Sequence, residues 1–325
     1  MEIKKRAFPR KEDSMTNPFF GKSVITIDSV SPEDARKVFA QADAMKRMRE
    51  TEGATNVLLG KVMAALFYEP SSRTLTSFIT SMQRLGGGFV PLNNMAVTSV
   101  AKGETIHDTA RVFSSYADII VMRHPEKGAV GEFAKFASVP VVNAGDGSGE
   151  HPTQALLDSY TIGKHFKSFE GITVGMVGDL LYGRTVHSLS KMLAKLGVKK
   201  FVFISPSELR MPKDVCEAVQ KSGADMRETE NLTEVISSLD VIYMTRVQKE
   251  RFSDHEKYER LKLAYILTPA LMDKAKKTSI VMHPLPRVGE ITPDVDTDKR
   301  AIYFTEEMRN GMYVRMALIK MILTK

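Results

Sequence analysis

Short apolar runs recur along the chain, separated by stretches in which apolar residues return every three or four positions. The runs lie at 62–69 (VMAALFYE), 117–124 (ADIIVMRH), 139–146 (VPVVNAGD) and 172–179 (ITVGMVGD). Others follow at 200–206 (KFVFISP), 241–246 (VIYMTR) and 279–286 (SIVMHPLP). They are rich in Val and Ile and apolar on both faces, which predicts parallel strands covered by helices. Leu75, Phe78, Ile79, Met82 and Leu85 form one intervening helical stripe. A second stripe, 151–162, predicts a helix joining two halves, and the end, NGMYVRMALIKMIL, predicts a long apolar-faced helix. Strand–helix alternation over 325 residues points to an α/β protein of two domains.

The strands are predicted to end in polar chemistry. FYEPSSRTLTSF places Ser71, Ser72, Arg73 and Thr74 where a strand gives way to a helix. First-turn N–H groups lack internal partners and carry partial positive charge, so an anion fits there as well as an N-cap does. Arg123 and His124 close another strand; His151 and Gln154 follow NAGDGSGE; Arg184 follows VGDLLYG; Arg246 and Gln248 follow VIYMT. Ligands of open α/β sheets bind beyond the carboxyl ends of the strands. Four arginines, with histidines and glutamines among them, brought there describe a pocket for a multiply anionic ligand.

The net charge of +7 fits guidance of anionic molecules and admits nucleic acid or an acidic membrane surface. The basic residues are dispersed apart from MEIKKRAFPRKED, which has no apolar signal-peptide core, and residues 1–20 are expected to be a mobile extension. Cys216, the only cysteine, excludes an intrachain disulfide. No apolar run is long enough to cross a bilayer, so a soluble cytoplasmic protein is expected, without membrane or nucleic-acid partners. Gly175, Gly178 and Gly183 miss the dinucleotide spacing, and there is no phosphate-binding G-x-x-x-x-G-K-[ST] loop. The histidines show no metal-ligand spacing, and Ser148 does not sit in a hydrolase elbow.

Taken together and in order, SSRT (71–74), KGET (102–105), MRHP (122–125), HPTQALLD (151–158), GDLLYGRTVHS (178–188), TRVQKERF (245–252) and HPLPR (283–287) resemble an aspartate carbamoyltransferase catalytic chain. The match runs from about Gly60 to Arg315. The resemblance implies a carbamoyl-phosphate domain (21–152 plus 309–325), an aspartate domain (153–308) and a linking helix over 151–166. The last helix would return to the first domain. It implies transfer of the carbamoyl group of carbamoyl phosphate to the amine of L-aspartate, early in pyrimidine biosynthesis, with domain closure and neither cofactor nor metal.

By the same resemblance Ser72, Arg73, Thr74 and Arg123 hold the phosphate, and Thr74, Arg123 and His151 hold the carbamoyl oxygen. Gln154 and the backbone of Pro284 and Leu285 hold the carbamoyl nitrogen. Arg184 takes the α-carboxylate of aspartate, and Arg246 with Gln248 takes its side-chain carboxylate. Ser99 and Lys102 come from a loop of the neighbouring subunit in a homotrimer with shared active sites, Lys102 reaching the aspartate as well. A regulatory chain and pathway-enzyme partners are left open. Ornithine carbamoyltransferases carry a cysteine where Pro284 stands, and Arg246 suits a carboxylate better than an ammonium. A catalytically inert scaffold subunit is the alternative of a different class, opposed by the presence of every motif residue.

Overall fold

The computed structural model describes residues 17–93, 98–252 and 254–325. Most of the expected N-terminal extension (1–16) and part of the segment before Lys102 (94–97) lie outside the described residues. The last positions of that extension are held to the protein in part: Phe19 is buried, Phe20 is exposed, and the Asn17 amide donates to the carbonyls of Met321 and Thr324 at 2.6 and 2.8 Å.

The first half begins with α1 (Pro32–Thr51), whose Ser31 hydroxyl caps the Asp34 N–H. Then come β1 (Val62–Phe67), α2 (Ser72–Arg84), β2 (Gly88–Leu92), α3 (Ile106–Ser114), β3 (Ile119–His124), α4 (Ala129–Ala134) and β4 (Val141–Asp146). The strands form one parallel sheet in the order β2-β1-β3-β4. Pro91 sits in β2, the edge strand, where a missing backbone donor is tolerated.

Helix α5 (Pro152–His165) leads into β5 (Thr173–Val177), α6 (Arg184–Leu196), β6 (Lys200–Ile204), α7 (Lys213–Lys221), β7 (Asp225–Thr229) and α8 (Leu232–Val235). The chain continues through β8 (Val241–Met244), α9 (His255–Leu261), α10 (Pro269–Met272) and β9 (Ile280–Met282) to α11 (Met308–Leu323). The second parallel sheet has the order β7-β6-β5-β8-β9. The seven runs read from the sequence correspond to β1, β3, β4, β5, β6, β8 and β9, each trimmed at its ends.

Helix α11 packs against α1, α2 and α5, so the C-terminal helix completes the core of the first half. Phe78, Met82, Leu156, Tyr160, Val314 and Leu318 belong to that core. Burying side chains of this size contributes roughly 1.5–3 kcal/mol each. Every residue of α5 from Pro152 to Ile162 is buried, polar ones included. A helix buried all round is a rigid axle between the sheets, and its polar residues must find partners inside the protein.

Candidate active site

Each sheet has a topological switch point, where successive strands are laid on opposite sides of a first strand. In the first sheet it lies between β1 and β3, in the second between β5 and β8. The segment 71–74 follows β1, Arg123 ends β3, Arg184 follows β5 and Arg246 follows β8. A cleft of about 600 Å³ joins these ends; Ser72, Arg73, Thr74, Arg123, His151, Gln154, Arg184, Arg246, Gln248, Pro284 and Leu285 all line it. Ser99 and Lys102 do not: they form a short exposed turn away from the cleft of their own chain.

At the start of α2, Ser71 occupies the N-cap position but its hydroxyl makes no capping bond. Ser71, Ser72 and Thr74 all line the cleft, beside the partial positive charge of the helix's first turn. Arg73 has no acidic partner within ion-pair distance among the described residues. Burial, then the nearby Arg246, lowers its basicity. It is a cation that an incoming anion can take without breaking an existing pair.

Arg123 and Arg184, joined by Arg251, converge on an acid the sequence did not single out. Glu69, just beyond β1, accepts from Arg123 at 2.9 Å, from Arg184 at 3.0 Å and from Arg251 at 3.2 Å. The first arginine comes from the first sheet and the other two from the second half, so Glu69 ties the halves together. Burial alone would raise its carboxyl; Arg123 and Arg184, then Arg251, outweigh burial and hold it below the usual range. Burial brings Arg123 down to about 9, with the charge of Arg184 adding to the effect and Glu69 opposing it. Arg184 also donates to the Gly147 carbonyl at 2.7 Å and lies flat against Gly145. A Cβ there would fall 2.9 Å from the guanidinium carbon, and Gly145 also holds a positive φ of 117°. Only glycine satisfies both demands.

Arg246 is paired within its own loop, Nη1 donating to Glu250 at 3.0 Å; burial would lower its basicity, but that carboxylate raises it. Gln248 donates to the Tyr182 carbonyl at 2.8 Å, while its N–H and that of Tyr182 donate to the buried Asp179 carboxylate. Burial pushes Asp179 up to about 6, against those hydrogen bonds. Asp179 thus ties the loop after β5 to the loop after β8. It lies inside the motif GDLLYG, where its position just past a strand was the available signal.

After β9, His283 folds back on its own loop. Its Nδ1 accepts from the Leu285 N–H at 2.7 Å, so Nε2 carries the proton and donates to Glu290, also at 2.7 Å. Burial, against the pull of Glu290, keeps the ring below its ordinary basicity. This brace accompanies Leu285 in the left-handed region at φ 57°, an uncommon conformation for a branched side chain, where Pro284 and Leu285 line the cleft. His151, just before α5, is held neutral: burial, then Arg184, Arg123 and Arg315, push its pKa well below the ordinary value. Its N–H donates to Ser188 at 3.0 Å. Among the described residues no group of three or more His, Cys, Asp or Glu side chains could hold a metal ion, and no helix is long and apolar enough to cross a membrane.

Two family models cover nearly the whole chain. Residues 22–164 match the carbamoyl-phosphate-binding domain of aspartate/ornithine carbamoyltransferases, and residues 170–322 match the Asp/Orn-binding domain. The chain belongs to the aspartate/ornithine carbamoyltransferase family. The aspartate carbamoyltransferase catalytic subunit of Thermoplasma volcanium is 47% identical over 302 residues, 93% of this chain and 98% of that one. The Multifunctional protein pyr1-3 of Dictyostelium discoideum is 44% identical over 320 residues; they make up 96% of this chain but only 14% of that relative's length. Among solved structures, aspartate transcarbamoylase from Trypanosoma cruzi in complex with carbamoyl phosphate and aspartate superposes with a TM-score of 0.90 at 42% identity. That match covers 94% of this chain and 98% of the other. In this family member the cleft between the two matched regions is the one lined by the arginines described above.

Proposed function

We propose that the protein is an aspartate carbamoyltransferase, forming N-carbamoyl-L-aspartate and phosphate from carbamoyl phosphate and L-aspartate in pyrimidine biosynthesis. The observation that carries this reading is the convergence of two anion-binding sets, one at each switch point, on a single cleft. Arg73 and the start of α2 suit a phosphate, and Arg184 and Arg246 suit two carboxylates. An ornithine ammonium placed against Arg246 would meet like charge.

The chemistry follows from the residue types. Ser72, Arg73, Thr74 and Arg123 hold the phosphate; Gln154 and the Pro284–Leu285 backbone hold the carbamoyl nitrogen. The unprotonated amine of aspartate attacks the carbamoyl carbon, a C–N bond forms, and charge grows on the carbonyl oxygen. Arg123, the Thr74 hydroxyl and neutral His151 are aimed there as an oxyanion clamp. The C–O bond to phosphate then breaks, Arg73 stabilises the leaving group, and the phosphate takes up the amine proton. Most of the acceleration comes from holding two mutually repelling anions at reacting distance in a preorganised positive field.

The exposed turn carrying Ser99 and Lys102 is read as the contribution of each subunit to its neighbour's cleft in a closed trimer, Lys102 adding a flexible cation over the bound anions. Approach of the two halves on binding accompanies it, in a cytoplasmic enzyme whose functional halves are 21–152 plus 309–325 and 153–308. The reading is tested by calorimetry and kinetics on Arg246→Ala. Aspartate use should weaken while carbamoyl-phosphate affinity is kept; equal loss of both would sink the assignment.

A further inference from the structure

Directly beneath the cleft, two carboxyl groups from distant parts of the chain meet. Asp158 belongs to α5, and Glu307 ends a single turn of π-helix, Tyr303–Glu307, that precedes α11. The wider turn is closed by the N–H groups of Glu306 and Glu307 on the Ile302 carbonyl, at 3.0 and 3.1 Å. Both side chains are removed from solvent, at 0% and 2% exposure, and α5 packs against the π-turn so that each carboxyl feels the charge of the other. Two neighbouring buried carboxyls resist ionising together, and a proton held between them relieves the repulsion.

The surrounding donors show where it sits. The Gln154 amide donates to one Asp158 oxygen at 3.0 Å and the Tyr243 hydroxyl to the other at 2.7 Å. Glu307 Oε2 accepts the His283 N–H at 3.0 Å, while its buried Oε1 receives no donor among the described residues. Asp158 is thus the acceptor of donated bonds, and Glu307 Oε1 is the oxygen left to donate. Burial, and then the charge of Asp158, drive the Glu307 carboxyl well above its ordinary range. Burial raises the Asp158 carboxyl as well, with the donors and the Arg315 cation opposing.

We infer that Asp158 and Glu307 share one proton and act through it as a pair of positioning residues for the carbamoyl end of the substrate. The inference rests on the functional reading above. Asp158 fixes the Gln154 amide, and Glu307 fixes the backbone of His283, the residue whose ring sets the Leu285 N–H. The protonated pair therefore links, through one hydrogen bond, the two groups assigned to the carbamoyl nitrogen. One lies at the start of α5 and the other in the loop beyond β9.

The groups facing the pair account for its pH behaviour. They are Gln154 on α5, the Tyr243 phenol on β8, His283 with its partner Glu290 beyond β9, and Arg315 on α11. Arg315 is a single cation, which offsets one carboxylate and not two. Loss of the shared proton at alkaline pH leaves two like charges bonded to nothing between them, and they separate. Gln154 and the 283–285 backbone then lose their common anchor.

The test compares the wild-type full-length enzyme with Glu307→Gln and Glu307→Ala. A glutamine amide donates to Asp158 and accepts from His283, the pattern of the protonated acid, and it cannot ionise. Wild-type kcat/KM for carbamoyl phosphate should fall by about tenfold or more on the alkaline side, as two interacting carboxylates come to ionise together. Glu307→Gln should match wild type at neutral pH and lose that alkaline decline, whereas Glu307→Ala should raise KM for carbamoyl phosphate at every pH. Infrared spectra of the protein alone should show a protonated-carboxyl band that disappears at alkaline pH and is missing from Glu307→Gln. Absence of the band overturns the shared proton. A band that behaves as expected beside an unchanged alkaline decline in Glu307→Gln overturns the positioning role. If no variant, wild type included, transfers a carbamoyl group, the functional reading fails and the positioning role with it, while the spectrum still reports on the proton.

Discussion

Glu69→Gln is the substitution whose consequence the geometry sets most directly. The carboxylate faces three guanidinium groups at 2.9–3.2 Å, and its side chain is 17% exposed. At an effective dielectric near 20, one such pair is worth roughly 4 kcal/mol before desolvation is subtracted. Removing one partner of a buried pair costs about 3–5 kcal/mol, because the remaining charge is stranded. Partial exposure, and the oxygen that glutamine keeps, bring the expected loss to about 2–4 kcal/mol. With a urea slope near 3 kcal/mol per molar, that is a midpoint shift of about 0.7–1.3 M. The variant should then respond to inorganic phosphate more strongly than wild type, since an anion no longer competes with Glu69 for the arginines. Saturation at a hundredfold excess over Kd returns about 2.7 kcal/mol. Urea titrations with and without phosphate measure both effects. A shift below about 0.2 M, or equal phosphate stabilisation of the two proteins, refutes Glu69 as the countercharge of the cleft.

Arg73→Ala removes the cation assigned to the leaving phosphate, so kcat should fall by at least about a hundredfold, and near-normal turnover would reduce this segment to a helix start. His151 and His283 are held neutral with depressed pKa values, so the unfolded chain binds more protons as pH falls. Their contribution is present above the ordinary histidine value of about 6.5 and lost below it as the folded values are approached; melting temperature should decline over that window, and the decline should shrink in His283→Asn. Mixed trimers of Lys102→Ala and Arg123→Ala, each nearly inactive alone, should regain roughly a quarter of wild-type activity by random arrangement around a closed ring. No gain despite subunit exchange verified by mass spectrometry would remove Lys102 from the neighbour's cleft.

The fold was legible wherever a strand is buried on both faces, since β1, β3, β5 and β8 are continuous apolar runs. Strand β7, DMRET, was not, because an edge strand with mostly solvated side chains carries neither an apolar run nor a clean alternation. Strand ends pointed to Arg73, Arg123, Arg184 and Arg246, because position past a strand in an α/β sheet is itself a functional signal. Glu69 sits at such an end as well, yet an acid among candidate anion-binding residues has no reason to be chosen until its three arginines are seen in space. Arg251 reads as a solvated charge in VQKER for the same reason. Asp158 and Glu307 are far apart in the chain, and each looks like an ordinary helical acid; only the packing of the π-turn before α11 against α5 brings them together. Pattern reveals period and edge, whereas pairing of charges is a property of the assembled core.

The central claim is one cleft that joins a phosphate-bearing carbamoyl donor to a dicarboxylate amine. Purified full-length protein given carbon-13-labelled carbamoyl phosphate with L-aspartate, L-ornithine or L-asparagine, and followed by NMR, tests it most directly. The account predicts label in N-carbamoyl-L-aspartate with stoichiometric phosphate release, and turnover of the other two amines lower by a hundredfold or more, as expected when a buried charged partner is mismatched. Equal labelling of ornithine, or phosphate release with no carbamoylated amine, would contradict it.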